Sequence, residues 1–257
     1  MLRVSRSIPL NSLLEQIGGI ALLTWETFRK GLRPPYEGRL LAAELYHLGV
    51  RSLSVTNITA LFTGMVIAVQ TAYSLGIYGV KSFTGDMVAL SIVRELGPVL
   101  TGLVMAGRVG SGITAEIGSM KVTEQVDALR ALAADPVRKL VVPKVAATLI
   151  MVPVLTVLAD FLGILGGLVV AVSTLDQTAS FYLRHVIGAL GFSDLFSGLG
   201  KSVFFALFIS VVGCYNGLQT RGGAGGVGRY TTHTVVTASI LILISDFFLT
   251  KLFLLFF

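Results

Sequence analysis

Long stretches without charged side chains are the main pattern along this chain. Residues 52–80 and 202–220 contain no charged residue, and residues 145–175 and 234–257 contain at most two each. A helix that crosses a bilayer needs about 20 mainly apolar residues, and each stretch is long enough to supply them. The pattern therefore predicts four membrane-spanning helices.

A fifth apolar stretch, residues 87–118, carries four charges. Arg94 and Glu95 lie towards its start, and Arg108 and Glu116 lie towards its end. Its charge-free centre is too short to span a bilayer alone. We therefore predict a helix longer than the bilayer, with its charges near the interfaces or facing the interior of a bundle.

The distribution of Lys and Arg between these stretches supports five spans. Residues 1–51 contain seven and residues 119–144 contain five, whereas residues 77–91 and 173–196 contain one each and residues 219–233 contain two. High and low counts alternate only if residues 87–118 cross the membrane. Because positively charged loops stay on the cytoplasmic side, the N-terminus is predicted inside and the C-terminus outside.

Composition agrees with an all-α integral membrane protein forming one domain over residues 1–257. Hydrophobic residues make up 54% of the chain and charged residues only 13%, against about 25% charged in soluble domains; the mean hydropathy is +0.82. The net charge is +6, but most Lys and Arg residues lie in segments between apolar stretches, so we expect no nucleic-acid partner. The predicted spans are residues 52–77, 87–118, 145–174, 198–219 and 234–256.

Residues 8–33 have a different pattern, typical of an amphipathic helix. The apolar positions recur at helical spacing and are Leu10, Leu13, Leu14, Ile17, Ile20, Ala21, Thr24 and Phe28. We predict a helix lying in the cytoplasmic interface, with Trp25 at the level of the lipid headgroups. A soluble helix that packs on a partner is the alternative.

A stripe of small residues runs along the second predicted span. It consists of Gly102, Ala106, Gly110, Thr114 and Gly118, one at every fourth position. Small residues at this spacing let another helix approach closely. The stripe predicts tight helix packing, either within the chain or at the seam of a dimer.

Two short motifs resemble nucleotide-binding loops without their required context. Residues 223–228 match G-x-G-x-x-G but are predicted to lie in a loop between spans, as a hinge or turn, rather than between a strand and a helix. Gly200-Lys201-Ser202 resembles the end of a phosphate-binding loop, but Leu195 stands where its first glycine is required. We therefore expect no ATP site, no metal and no cofactor on this chain.

The cytoplasmic segment 119–144 predicts a short amphipathic helix over residues 121–133. Thr123 can cap this helix, and Val126, Leu129 and Leu132 form a narrow apolar stripe. Such a helix on a cytoplasmic loop suits docking into a groove of a soluble partner. A plain surface helix is the alternative.

Charged residues inside spans are costly and are candidates for function. Besides Arg94 and Glu95, the spans contain Asp160 and Asp246 near their middles. These groups can line a cavity for an amphipathic substrate, or they can pair with one another or with backbone groups. The rival hypotheses are an ion-coupled secondary transporter that uses Asp160 and Asp246, an intramembrane lipid-modifying enzyme, and a membrane scaffold.

Several motifs resemble those of the MlaE/YrbE family of ABC transporter permeases. They are Arg94-Glu95-Leu96-Gly97-Pro98, Ala106-Gly107-Arg108, Ala115-Glu116-Ile117-Gly118, Thr123-Glu124-Gln125 and Asp135-Pro136. The resemblance covers roughly residues 40–257. The stretch from Glu124 to Pro143 also has the length of the EAA loop of ABC importers, although Gln125-Val126 stands where that motif has two alanines and Arg130 where it has glycine.

The resemblance implies a permease in a bacterial inner membrane that moves phospholipids between the inner and outer membranes, with a periplasmic C-terminus. It implies a homodimer on a cytoplasmic ABC ATPase dimer that holds ATP and Mg²⁺, a periplasmic hexamer of MCE domains and, as a further partner, a small STAS-domain protein. The implied lipid-binding residues are Gln70, Tyr73, Arg94, Glu95 and Asp246. The implied ATPase-coupling residues are Glu124, Gln125, Asp127, Leu129, Arg130 and Asp135.

Overall fold

The chain folds into helices joined by short connections. A computed structural model describes residues 10–32 and 38–256, and within these ranges it contains helices and no strand. The helices are α1 (Leu10–Gly31), α2 (Gly38–Ile77), α3 (Lys81–Val122), α4 (Gln125–Ala131), α5 (Val137–Thr174), α6 (Ala179–Ala189), α7 (Phe192–Leu218) and α8 (Gly223–Phe256).

Five of these helices, α2, α3, α5, α7 and α8, are long and apolar enough to cross a membrane. The predicted all-α integral membrane fold is therefore confirmed. All five spans begin before their predicted first residues, since their polar ends continue the helix beyond the apolar stretch. The apolar stretch predicts which residues lie in the hydrocarbon core of the bilayer. The ends of the helix are set instead by where its backbone hydrogen bonds end.

The chain reverses direction from each span to the next, so the bundle has two ends. We call the end that carries α4 the inner end and the opposite end the outer end. The inner end also contains the start of α2 and the connection between α7 and α8, because Thr220 packs against Gly118 near the end of α3. By the charge pattern above, the inner end is the predicted cytoplasmic one.

The glycine-rich motif was wrongly predicted to form a loop. Residues 223–228 form the first turns of α8. The chain turns into this helix at Gly222 and Gly223, which have positive φ values of 88° and 65°. Gly226 N donates to Gly222 O at 3.2 Å. Gly226 lies against the backbone of Arg221, where a Cβ would collide with the carbonyl group, so glycine permits the helix to begin here.

Helices α2 and α5 approach each other closely at their crossing. Gly64 of α2 lies against the backbone of Gly163, and Gly166 of α5 lies against the backbone of Leu61. A Cβ at Gly64 or Gly166 would collide with backbone atoms of the opposite helix. These glycines therefore allow a crossing in which the two backbones are in direct contact.

The stripe of small residues on α3 packs inside the chain. Gly102 faces the side chains of Phe205 and Ile242, and Gly110 faces Ile209 and Thr234. The other residues of the stripe, Ala106, Thr114 and Gly118, are also buried. The structure therefore uses the stripe to seat α7 and α8 on α3, which is the first of the two arrangements that the sequence left open.

Helix α1 lies across the inner end and presents two faces. Leu23 and Thr27 are buried against the bundle, whereas Trp25 on the opposite face is 71% exposed. Leu14 and Ile17, from the predicted apolar stripe, are exposed as well. An apolar face that the bundle leaves uncovered is what an interfacial helix needs. Residues 8, 9 and 33 of the predicted helix lie outside the described residues.

Candidate functional site

Lys201 of α7 is fully buried inside the outer half of the bundle. Its ammonium group donates hydrogen bonds to Glu95 Oε2 at 2.5 Å and to Thr250 Oγ1 at 2.6 Å. Nζ also lies 3.1 Å from Asp246 Oδ1, as an ion pair outside hydrogen-bond geometry. One lysine thus holds two carboxylates from different helices, which is how a buried cation is stabilised in an apolar bundle.

A break in the regular α-helix brings α3 to this lysine. Residues Ile92–Leu96 form a π-helical turn that ends just before Gly97 and Pro98. Proline has no N–H to donate to the carbonyl four residues earlier, which here belongs to Arg94. Lys201 Nζ donates to that carbonyl at 3.0 Å, so the lysine also satisfies the backbone group that the proline leaves free.

Arg94 points away from Lys201 and pairs with α7. Its Nε and Nη2 atoms lie 2.5 Å from Asp194 Oδ1. The other oxygen of Asp194 accepts a hydrogen bond from Gly191 N at 2.8 Å, so the carboxylate also caps the start of α7. The Arg94 side chain keeps 45% of its surface exposed and Asp194 only 6%. The guanidinium group is therefore both anchored and accessible.

These groups border an open cleft of about 540 Å³ at the outer end. Its polar lining consists of Ser91, Arg94, Glu95, Ser193, Asp194, Ser197 and Thr250, and its apolar lining of Leu90, Phe253 and Leu254. Charges of both signs thus lie beside an apolar wall. Such a lining matches a ligand that carries a charged headgroup and apolar chains.

The structure brings together three of the five predicted lipid-binding residues. Arg94 and Glu95 line the cleft, and Asp246 joins Glu95 at Lys201. Gln70 and Tyr73 do not line it and are exposed on α2. Their predicted role stays a prediction, since nothing in the arrangement of this single chain places them at the charged cluster.

Sequence reasoning missed Lys201 and Asp194. In the sequence, Lys201 stands in a motif that only resembles a nucleotide-binding loop, and Asp194 lies in a predicted connection between spans. A usable signal was present, because Glu95 and Asp246 are two carboxylates in apolar spans and require a counter-charge. Lys201 is a lysine at the edge of an apolar span and was the natural candidate.

Asp160 of α5 stands apart from this cluster. It is 8% exposed, and its Oδ1 atom has no hydrogen-bond partner among the described residues. That oxygen lies against Gly97, where a Cβ would collide with it. Asp160 thus faces the segment of α3 that follows the π-helical turn, and Gly97 leaves room for it.

A second buried lysine, Lys144 of α5, lies at the inner end. Its Nζ atom is 2.6 Å from Glu44 Oε1 on α2 and 2.7 Å from Glu116 Oε2 on α3. The side chain of Lys144 is 1% exposed. One ammonium group thus joins three spans near the predicted cytoplasmic surface.

Helix α4 is shorter than the predicted coupling helix over residues 121–133. Helix α3 continues to Val122, and α4 begins only after Glu124, which has φ of 58° in the left-handed region. Thr123 does not cap α4, since its hydroxyl donates to the carbonyl of Ser119. The left-handed residue reverses the chain between the two helices, which a single continuous helix cannot do.

The predicted coupling residues occupy different surroundings. Glu124, Gln125 and Asp127 are exposed, and Arg130 is exposed and hydrogen-bonded to Asp127 at 3.1 Å. Asp127 also accepts a hydrogen bond from Lys121 at 2.7 Å. Leu129 is partly buried, Val126 is fully buried, and Leu132 is 78% exposed. The apolar anchor of α4 is therefore Val126, and the charged face remains open.

Asp135 ties the end of this loop to α1. Its carboxylate pairs with Lys30 and accepts a hydrogen bond from Val137 N at 3.0 Å. Burial acts to lower the pKa of Lys30, but its hydrogen bonds to Asp135 and Glu26 outweigh burial and raise the pKa. Burial acts to raise the pKa of Asp135, but Lys30 and the Val137 backbone lower it overall.

Fold and site together define a multi-pass membrane protein with a charged cleft at one end and a short surface helix at the other. A family model described as "Permease MlaE" matches residues 41–252. The chain therefore belongs to the MlaE permease family, and the resemblance noted from its motifs is confirmed.

Individual relatives agree with this assignment. The chain is 42% identical to a probable ABC transporter permease protein of Rickettsia bellii, over 98% of both chains. It is 44% identical to a probable ABC transporter permease protein of Synechocystis, over 90% of this chain and 88% of the relative. It is 39% identical to the intermembrane phospholipid transport system permease protein MlaE of Haemophilus influenzae, over 83% of this chain and 82% of that one.

Proposed function

We propose that this chain is the permease subunit of an ABC transporter that moves phospholipids between the inner and outer membranes of a bacterium. The observation that carries the proposal is the outer cleft, in which Arg94 and Glu95 lie beside an apolar wall and are held by Asp194 and Lys201. A phospholipid has the matching chemistry, with a phosphate for the arginine and acyl chains for the wall.

The charged cluster fixes where the headgroup would bind. Lys201 pairs with both Glu95 and Asp246, and the guanidinium of Arg94, although paired with Asp194, keeps an exposed surface towards the cleft that can meet a phosphate. Asp194 holds that guanidinium in place without covering it. In this proposal Arg94 binds the lipid phosphate, and Lys201, Asp194 and Asp246 are positioning residues.

The energy for transport comes, in this proposal, from a separate cytoplasmic ATPase dimer that holds ATP and Mg²⁺. The exposed face of α4, with Glu124, Gln125, Asp127 and Arg130, docks into a groove of the ATPase. ATP binding closes the ATPase and moves α4. The cavity of a permease homodimer then narrows, and a lipid is passed to or from a periplasmic hexamer of MCE domains.

Family membership supports the proposed membrane and the remaining proposed partners. We place the chain in the inner membrane, with the N-terminus in the cytoplasm and the C-terminus in the periplasm, because Lys and Arg are concentrated at the inner end. A small STAS-domain protein is a further proposed partner of the assembly.

Reconstitution tests the function directly. Vesicles that contain the chain with its copurifying ATPase should move a fluorescent phospholipid only when ATP is present. Lys201→Gln should abolish this movement, whereas Lys251→Gln, which removes an exposed lysine from α8, should not.

Two results would contradict the proposal. Vesicles that contain the chain alone and still move lipid at the full rate would show that no ATPase is needed. Movement that follows a proton gradient and stops in Asp160→Asn would favour the ion-coupled transporter, whose case rests on the unpartnered Asp160 oxygen. Chemical modification of the lipid by the chain alone would instead indicate an enzyme.

A further inference from the structure

A polar cavity of about 550 Å³ lies at the inner end, between α1, the end of α7 and the start of α8. Two arginines line it, Arg221 and Arg229, together with His233 and the amides of Gln16 and Asn216. No carboxylate occurs among the described residues that line the cavity. This lining differs from that of the outer cleft, in which Arg94 is already paired with Asp194.

The cavity is held in shape by groups around it. Asn216 is 5% exposed and donates a hydrogen bond to Thr234 Oγ1 at 2.9 Å, so α7 and α8 are joined at its base. Arg229 folds over Gly222, where a Cβ would come within 3.2 Å of its Nη2 atom. The positive φ of Gly222 turns the chain so that Arg221 and Arg229 reach the same cavity.

An apolar cleft of about 340 Å³ lies further along α1 and α7. On α1 it is lined by residues from Ile20 to Phe28, and on α7 by residues from Leu207 to Val212. Gly19 lies between the polar and apolar regions, and a Cβ there would collide with the ring of Tyr215. Helix α1 can therefore lie closely on α7, forming a wall common to both clefts.

We propose that this composite cleft binds a phospholipid from the inner leaflet, with its phosphate at Arg221 and Arg229 and an acyl chain in the apolar part. Arginine forks suit phosphate oxygens, and basic pockets between membrane helices suit anionic headgroups. The cavity alone would also accept free phosphate. The adjoining apolar cleft is the observation that favours a lipid. This site is separate from the outer cleft and does not depend on the proposed transport function.

A photoreactive lipid tests the site in the full-length chain. The probe is phosphatidylglycerol with a diazirine on one acyl chain, present as a minor lipid in phosphatidylcholine vesicles. After illumination, peptide mapping should locate the crosslinks on residues 20–28 of α1 or 207–212 of α7. Crosslinks spread evenly over the exposed faces of all five spans would overturn the proposal.

Matched double variants separate a specific site from general surface charge. Arg221→Gln/Arg229→Gln should lower crosslinking at the cleft by about tenfold or more. Arg29→Gln/Arg39→Gln removes two exposed arginines at the same end and should leave crosslinking unchanged. Equal loss in both variants would overturn the proposal. Equal melting temperatures of the two variants show that the loss is not due to unfolding.

Two further arms identify the ligand. Ala21→Trp fills the apolar part of the cleft and should lower crosslinking, whereas Ala42→Trp, on the exposed surface of α2, should not. An excess of inorganic phosphate should compete weakly, because it lacks an acyl chain. If phosphate abolishes crosslinking, the headgroup charge alone accounts for binding, and if Ala21→Trp has no effect, the acyl chain does not lie in the apolar cleft; either result overturns the composite lipid site.

Discussion

The two ends of the bundle each contain a buried lysine held between two carboxylates, and their settings differ. At the inner end Lys144 joins α2, α3 and α5, and its group lines neither the outer cleft nor the two clefts beside α1. At the outer end Lys201 fixes Glu95 on the wall of an open cleft. The same chemistry thus stabilises packing at one end and shapes a site at the other.

The difference teaches that a buried charge in a span does not by itself mark a binding site. Both lysines satisfy the rule that intramembrane charges are paired. What distinguishes them is access, since Glu95 is 40% exposed towards a cleft whose wall also contains Arg94. The comparison predicts that substitutions at the inner end change stability and that those at the outer end change transport.

The largest expected effect is on stability at the inner end. Lys144→Met leaves Glu44 without its counter-charge, and we expect a loss of about 3 kcal/mol in the free energy of unfolding. Thermal unfolding in detergent measures this loss. The neutral triple variant Lys144→Met/Glu44→Gln/Glu116→Gln should recover most of the stability and keep transport. Failure to recover either would break the comparison.

At the outer end the matching triple variant should behave differently. Lys201→Met/Glu95→Gln/Asp246→Asn removes the whole charged group, so stability should stay close to that of the native chain. Transport of a fluorescent phospholipid should nevertheless fall by about tenfold or more, because the charge of Glu95 on the cleft wall and the lysine that holds it are lost. Normal transport in this variant would show that the outer cluster, like the inner one, serves packing alone.

Substitutions on α4 address the inner surface rather than its interior. Glu124→Lys and Arg130→Glu together reverse two exposed charges, so the free energy of unfolding should hardly change. We expect lipid-dependent ATP hydrolysis by the copurified ATPase to fall by about fivefold, because complementary charges are lost at the docking face. An ATPase that still copurifies and turns over normally would remove α4 as the coupling element.

The smallest expected effect concerns the ion pair between Lys30 and Asp135. Its contribution is complete between the ordinary pKa values of the two groups, 3.8 and 10.5. It is lost as the pH falls through the lowered pKa of Asp135, and as the pH rises through the raised pKa of Lys30. Both side chains are partly exposed, so the contribution should be less than about 1 kcal/mol.

Trp25 is the single tryptophan of the chain and lies on α1, so its fluorescence reports on this contact. Its emission should change in acid with the protonation of Asp135. Asp135→Asn should remove that acid transition, and Asp127→Asn, which changes a carboxylate on the neighbouring α4, should keep it. The same acid transition in both variants would assign it to another group.

Much of the fold follows from the sequence because a long charge-free stretch directly predicts a segment embedded in the hydrocarbon core of the membrane. The five spans and the short surface helix were predicted, and family motifs led to Arg94 and Glu95. The partners of those residues were not predicted, since the pairing of Arg94 with Asp194 and of Glu95 with Lys201 joins residues about 100 positions apart in the chain. Local patterns contain no information on such contacts.

The boundaries of α4 and α8 were also missed, for a local reason. A left-handed residue at Glu124 separates two helices where the pattern of apolar residues continues, and another helix begins at Gly223, where the glycines suggest a loop. Both depend on backbone conformation rather than on side-chain polarity. Hydrophobic periodicity reports side-chain polarity and does not report backbone conformation.

The glycine contact between α2 and α5 limits how this protein can move. The backbones of α2 and α5 are in contact at Gly64 and Gly166, so no side chain lies between them that could change rotamer. We therefore expect the two helices to move together as one rigid body. A conformational change that starts at the cytoplasmic end of the bundle therefore has to occur in other helices. The π-helical turns of α3, at Ile92–Leu96 and Ala106–Gly110, lie outside this contact, and we expect α3 to bend there.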